Sequence, residues 1–153
     1  MIEIEDLPYS LDAFERRFLF EEFDRRPGAK PPALLDPRIH FAIVCGARGC
    51  PPLATTPYRG GSLDRDLAAA ARRALASPGH LRWNEATRTL EASAIFEWYE
   101  ADFGGPERAF AFLMRYAPAA TRASIEKAGV KAIWRTIPWD WALNHVEHPT
   151  GAR

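Results

Sequence analysis

Hydrophobic positions change period along the chain, and each change marks an element. After Ser10, the residues Leu11, Phe14, Phe18, Leu19 and Phe23 recur near helical spacing, with Glu15, Arg16, Glu21, Glu22 and Arg25 left for solvent. This predicts a helix capped by Ser10. Residues 26–37 are rich in proline and contain Gly28, the composition of an extended connector. Residues 39–45, IHFAIVC, then form a continuous apolar run between Asp36-Pro37 and Gly46, which predicts a buried central strand. Side chains alternate along a strand, so Ile39, Phe41, Ile43 and Cys45 would share one face and His40, Ala42 and Val44 the other. A strand apolar on both faces needs cover on both.

Residues 54–61 continue irregularly, with Tyr58 placed to cover the loop that precedes them. Helical spacing returns after Ser62, where Leu63, Leu67, Ala70, Ala71, Ala74 and Leu75 make a narrow stripe of small residues. Asp64 and Asp66 suit its positive amino end, and Arg65, Arg72 and Arg73 its solvated face. Ser77-Pro78-Gly79 ends that helix, and residues 81–92 read as a hairpin with Trp83 in one strand and Leu90 in the other. His80 falls at the hairpin's edge, at an exposed position.

A third helix, SAIFEWYEADFGG, starts at Ser93 and closes on Gly104 and Gly105. Its Ile95, Phe96, Trp98, Tyr99 and Phe103 are too many large groups for one face, so some must border a groove or a second packing surface. Residues 107–116 and 119–128 give two more helices separated at Pro118, and residues 131–137 a further strand ended by Pro138. The fold class is α+β: a small sheet with a buried central strand (39–45), a hairpin (81–92) and a strand at 131–137, packed with about five helices. A single domain spans residues 1–153, with a frayed tail from 149.

The loop after the central run, CGARGCPP, is where chemistry concentrates. Its glycines allow backbone angles closed to other residues, and its prolines stop a helix. At the carboxyl end of a strand, free N–H groups together with Arg48 suit an anion; an ordinary tight turn is the plain alternative. Four residues separate Cys45 from Cys50, which excludes a thioredoxin-type pair, and two cysteines cannot hold an iron–sulfur cluster. Besides thiols simply buried in the core, three uses stay open. They are a disulfide, a thiol nucleophile activated by a histidine and a cation, and a zinc site that adds His40 with His145 or His148. On a regular strand His40 lies about 16 Å from Cys45 and faces the other way, so His145 is the better base if the chain's end folds back over the loop.

The candidate catalytic residues are therefore Cys45, Cys50, His145 and Asp140, with Asp140 or Asn144 orienting the imidazole and the loop N–H groups stabilising an oxyanion. The candidate ligand-binding residues are Arg48, His40, Trp98, Tyr99, Asp102, Trp139, Trp141 and Asn144. No metal ligand set is preferred, because His145 and His148 alone are weak evidence for one.

Three stretches together carry a resemblance. IHFAIVCGARGCPPL, SAIFEWYEADFG and IPWDWALN resemble the bacterial and plant family known as domain of unknown function 547, over about residues 10–144. The family has a helix like SLDAFERRFL, and the resemblance implies that Trp98, Tyr99 and Asp102 line a pocket. An upstream Trp-Ile-Asn and Tyr-Asn-Ala portion usual in the family is not matched, so the chain resembles the later part of that domain only. A truncated, non-catalytic version, or a natural start upstream of Met1, would follow. No activity is settled for the family, and its plant members resemble accessory domains attached to coiled-coil segments.

Charge narrows the partners. Lys plus Arg and Asp plus Glu number 20 each, so nothing attracts a polyanion and nucleic acid is not expected. No Walker loop or dinucleotide fingerprint implies a cofactor. No run approaches a membrane span, and the acidic MIEIEDLPYS start is not a secretory signal. As written, the chain reads as soluble and cytoplasmic, and as exported if an upstream signal segment is missing from this start. The expected function is a non-catalytic module that binds a small molecule or a protein around the CGARGCPP loop. The alternative is a thiol-dependent hydrolase or acyl transferase using Cys45 or Cys50 with a histidine base.

Overall fold

The structure is a computed structural model that describes residues 2–4, 7–9, 36–130 and 134–145. The chain divides into two compact units, residues 1–35 and 36–153. In the first, β1 (Ile2–Ile4) and β2 (Leu7–Tyr9) pair antiparallel, with Glu3 opposite Pro8. The helix expected from Ser10 and the connector up to residue 35 lie outside the described residues.

In the second unit the expected strand over residues 39–45 is not formed. Pro37–Phe41 is a 3-10 helix, followed by irregular backbone to Cys45. Asp36-Pro37, which bounded the strand in the sequence, is in fact a helix start. The Asp36 side chain accepts the Arg38 N–H at 3.0 Å, and Pro37 occupies the first helical position, where its missing N–H costs nothing. The tight turn buries the adjacent His40 and Phe41 together, which accounts for the two-sided apolar pattern that imitated a strand. Arg38 then docks this turn onto α1 (Leu63–Leu75), pairing with Asp36 at 2.6 Å and Asp64 at 2.8 Å.

The small-residue stripe of α1 does what small residues permit: Ala70, Ala71, Ala74 and Leu75 are buried against the rest of the core. Phe41 sits inside an aromatic cluster, with ring centroids 5.7 Å from Phe96 and 5.6 Å from Phe112. The hairpin forms as expected from β3 (Leu81–Asn84) and β4 (Thr89–Ser93), with Trp83 opposite Leu90. β5 (Arg135–Ile137) adds parallel to β4, completing a three-stranded sheet in the order β3-β4-β5; residues 131–133 lie outside the description.

The expected third helix is two short ones, α2 (Ile95–Trp98) and α3 (Glu100–Phe103), broken at Tyr99. Ser93 Oγ accepts the Ile95 N–H at 3.4 Å, and Gly104 closes the segment with φ +78, open to glycine at low cost. The break resolves the excess of large side chains: Ile95, Phe96 and Phe103 turn inward while Trp98 stays exposed. α4 (Pro106–Tyr116) and α5 (Ala119–Ala128) follow as predicted, with Gly129 left-handed after α5. Besides short 3-10 turns and the β1–β2 pair, the described residues thus carry five α-helices and a small three-stranded mixed sheet, an α+β fold.

Candidate functional site

After β5 the chain turns at Pro138 and runs back along the glycine loop. Ala47 and Leu143 form an antiparallel bridge. Arg48 N–H donates to the Ala142 carbonyl at 2.8 Å, Gly49 N–H to Asp140 at 2.9 Å, and Asn144 N–H to Gly46 at 2.8 Å. The CGARGCPP and IPWDWALN segments are therefore one paired unit. Gly49 is required at this contact, since a Cβ there would lie 2.9 Å from the Trp139 ring and 3.0 Å from the Asp140 nitrogen. Gly46, at φ +82, turns the chain into the loop.

This pairing changes the chemistry expected of the loop. The N–H groups of Arg48, Gly49 and Cys50 are all given to backbone carbonyls, the last to Ala47 at 3.1 Å, so they are not available to an anion or an oxyanion. Cys45 and Cys50 are joined in a disulfide, so neither sulfur is a thiolate nucleophile or zinc ligand in this state. Cys45 is exposed and Cys50 buried, and the Cys45 N–H donates to Cys50 Sγ at 3.2 Å.

Three tryptophans cover the outer side of the paired segments. Trp139 lies 4.9 Å from Trp98 and 6.0 Å from Trp141 between ring centroids, and Trp98 stacks on Trp141 at 5.9 Å. Trp139 is half-buried against the core, whereas Trp98 is 48% and Trp141 72% exposed. Asp140 Oδ1 accepts the Ala142 N–H at 2.9 Å and so holds the turn between the tryptophans. His145 is exposed, with Nδ1 3.0 Å from its neighbour's Leu143 carbonyl, and Asn144 and Arg48 are exposed beside it.

The other predicted residues meet on the inner side. His40 Nε2 is 2.9 Å from Asp102 Oδ2, and its ring stacks on Tyr99 at 3.8 Å. The break between α2 and α3 makes this possible by turning Tyr99 and Asp102 toward the 3-10 turn. Burial holds the His40 imidazole below its ordinary pKa, against the opposing pull of the Asp102 carboxylate. Tyr58, expected over the loop, packs half-buried against the core.

His80 is the residue that sequence reasoning missed. Expected at an exposed edge, it is 3% exposed and T-shaped against Trp139 at 6.4 Å. Its ring lies against the Cys50 backbone, and its Nδ1 is buried with no hydrogen-bond partner among the described residues. Burial lowers its pKa. It follows Ser77-Pro78-Gly79 with no periodicity of its own, so no spacing marks it as a brace between the loop and the core.

Among the described residues no group of three or more His, Cys, Asp or Glu converges as a metal site would, and no helix is long and apolar enough to cross a membrane. An open groove of about 520 Å³, lined by Asp36, Arg38, Asp64, Phe112, Arg115 and Tyr116 among others, involves none of the predicted site residues.

No curated protein matches the chain, and neither does any solved structure. The later stretches SAIFEWYEADFG and IPWDWALN fall outside the family match, which lies on the early part of the chain and ends within α1. Over residues 1–74, which include the whole CGARGCPP loop, the chain matches the model of a protein family of unknown function, DUF547, and the resemblance to that family holds there.

Proposed function

We propose that this protein is a non-catalytic binding module whose contact surface is the tryptophan face built on the CGARGCPP loop. The observation that carries the reading is the stacked pair Trp98 and Trp141, large apolar rings left in solvent although the core has room for many other aromatics. Leu143, 67% exposed, extends the same apolar segment. Rigid aromatic anchors of this kind bind with little loss of side-chain entropy, and the hydrogen-bonded loop beneath holds them in place. The disulfide and the occupied loop N–H groups support binding over thiol catalysis.

The test is a peptide-display library and a glycan array, each probed with the full chain and with a Trp98→Ala/Trp141→Ala variant. Both side chains are exposed, so the variant should keep the wild-type circular dichroism spectrum. Binders whose signal falls by at least about tenfold in the variant support the reading, since anchor residues of this type cost 2 kcal/mol or more when truncated. A set of binders indifferent to the substitution would overturn it.

A second reading, a thiol-dependent hydrolase or acyl transferase, draws on the His40–Asp102 pair, an imidazole oriented by a carboxylate. It requires the disulfide to open first. Turnover of p-nitrophenyl acetate by the reduced protein only, abolished in His40→Ala, would favour it.

A further inference from the structure

We propose that Cys45–Cys50 is a redox-active disulfide that exchanges with low-molecular-weight thiols, with Cys45 as the attacked sulfur. Three observations converge on this.

The two sulfurs are unequal. Cys45 is an exposed residue and Cys50 only 9% exposed, so an incoming thiolate has the readier approach from the Cys45 side of the bond. The buried sulfur is prepared to leave: the Cys45 N–H points at Cys50 Sγ from 3.2 Å, a donor that becomes a charge-assisted bond when the sulfur turns anionic. And the loop does not owe its position to the sulfur bond alone. The Arg48 and Gly49 N–H groups donate to Ala142 and Asp140 and the Gly46 carbonyl accepts from Asn144, so the residues between the two cysteines stay paired after the bond opens.

The exchange balances as follows. A thiolate RS⁻ attacks Cys45 Sγ; a new sulfur–sulfur bond forms there as the Cys45–Cys50 bond breaks, and the electron pair departs on Cys50 Sγ, which takes a proton from solvent. A second RS⁻ attacks the mixed disulfide at the external sulfur, leaving as RSSR and releasing Cys45 as a thiolate that is protonated in turn. Two external thiols supply the two electrons, and an external disulfide drives the reverse reaction. The proposal does not depend on the binding reading, because it concerns only the sulfurs and the loop.

The experiment treats the full chain, undenatured, with millimolar reduced glutathione, quenches with acid and digests with trypsin. Arg38, Arg48 and Arg59 place the two cysteines on separate peptides, residues 39–48 and 49–59. The expected result is a glutathione adduct on the Cys45 peptide in roughly tenfold or greater excess over the Cys50 peptide, with the helical circular dichroism retained through a cycle of reduction and reoxidation. An adduct equally shared or located on Cys50, a bond that yields only in denaturant, or loss of the fold on reduction would each overturn the proposal.

Discussion

Among single residues, His80 makes the sharpest prediction, because it is a titratable group sealed behind the loop with one ring nitrogen unpartnered among the described residues. Burial lowers its pKa in the folded state, so below about pH 6.5 the unfolded chain binds a proton that the folded chain resists. Stability is therefore fully present above that pH and falls as the pH drops through the window toward the lowered folded value. His40, also lowered by burial, acts in the same direction, whereas the Asp36 carboxylate, held low mainly by its hydrogen bond from Arg38, adds a loss only below about pH 4. Urea midpoints measured from pH 8 to pH 5 should decline, and His80→Gln should flatten part of that decline. A midpoint independent of pH over this range would show that the imidazole is not buried as described. At this scale the sequence is informative about residue types and poor about their company. Cys45 and Cys50 were recognisable as a pair with several chemistries open, yet only three-dimensional pairing distinguishes a disulfide from two thiols. The His40–Asp102 contact spans 62 positions and joins two residues that no local spacing relates.

Elements were legible where a local rule decides them. Pro118 and Gly129 frame α5, the hairpin falls where its turn residues put it, and the small-residue stripe of α1 is buried from Leu67 to Leu75, although Leu63 in its first turn is exposed. They were misread where two rules compete. An apolar run next to Asp-Pro satisfies both a buried strand and a capped helical turn, and the cap prevailed because Asp36 gains the Arg38 N–H while Arg38 reaches across to Asp64. Asp36→Ala removes the cap and one arm of this bridge and should cost about 1–2 kcal/mol in urea unfolding. Asp64→Ala, whose carboxylate is 91% exposed, should cost well under 1 kcal/mol. Equal losses from the two substitutions would assign the stability to the ion pairs and not to the helix start. The same competition split the aromatic helix at Tyr99: helical propensity continues through the segment, but packing Phe96 and Phe103 inward while Tyr99 meets His40 requires the break.

Across the second unit as a whole, the pairing of residues 46–49 with residues 140–144 closes a chain of nearly a hundred residues and places the tryptophans over the disulfide loop. No periodicity in the sequence could foretell it, because each partner is too short and too rich in glycine, proline or tryptophan to read as a strand. The two segments stood out only as separate motifs. Hydrogen exchange tests the closure directly. The Arg48 and Gly49 amides lie in a loop that, unpaired, would exchange at the rate of exposed backbone, but here they donate to Ala142 and Asp140 and should be protected by roughly tenfold to a hundredfold or more. Removing the chain from Trp139 onward deletes both acceptors, so protection at these two amides should vanish. Protection should persist at Ala92 and Ser93 in β4, whose pairing with β3 and β5 does not involve the deleted residues. Global loss of protection would instead mean that the Trp139 contact with His80 and the core is needed for the unit to fold. Rapid exchange at Arg48 and Gly49 in the intact chain would show that loop and segment are not paired in solution, and the tryptophan face would lose the support on which its rigidity rests.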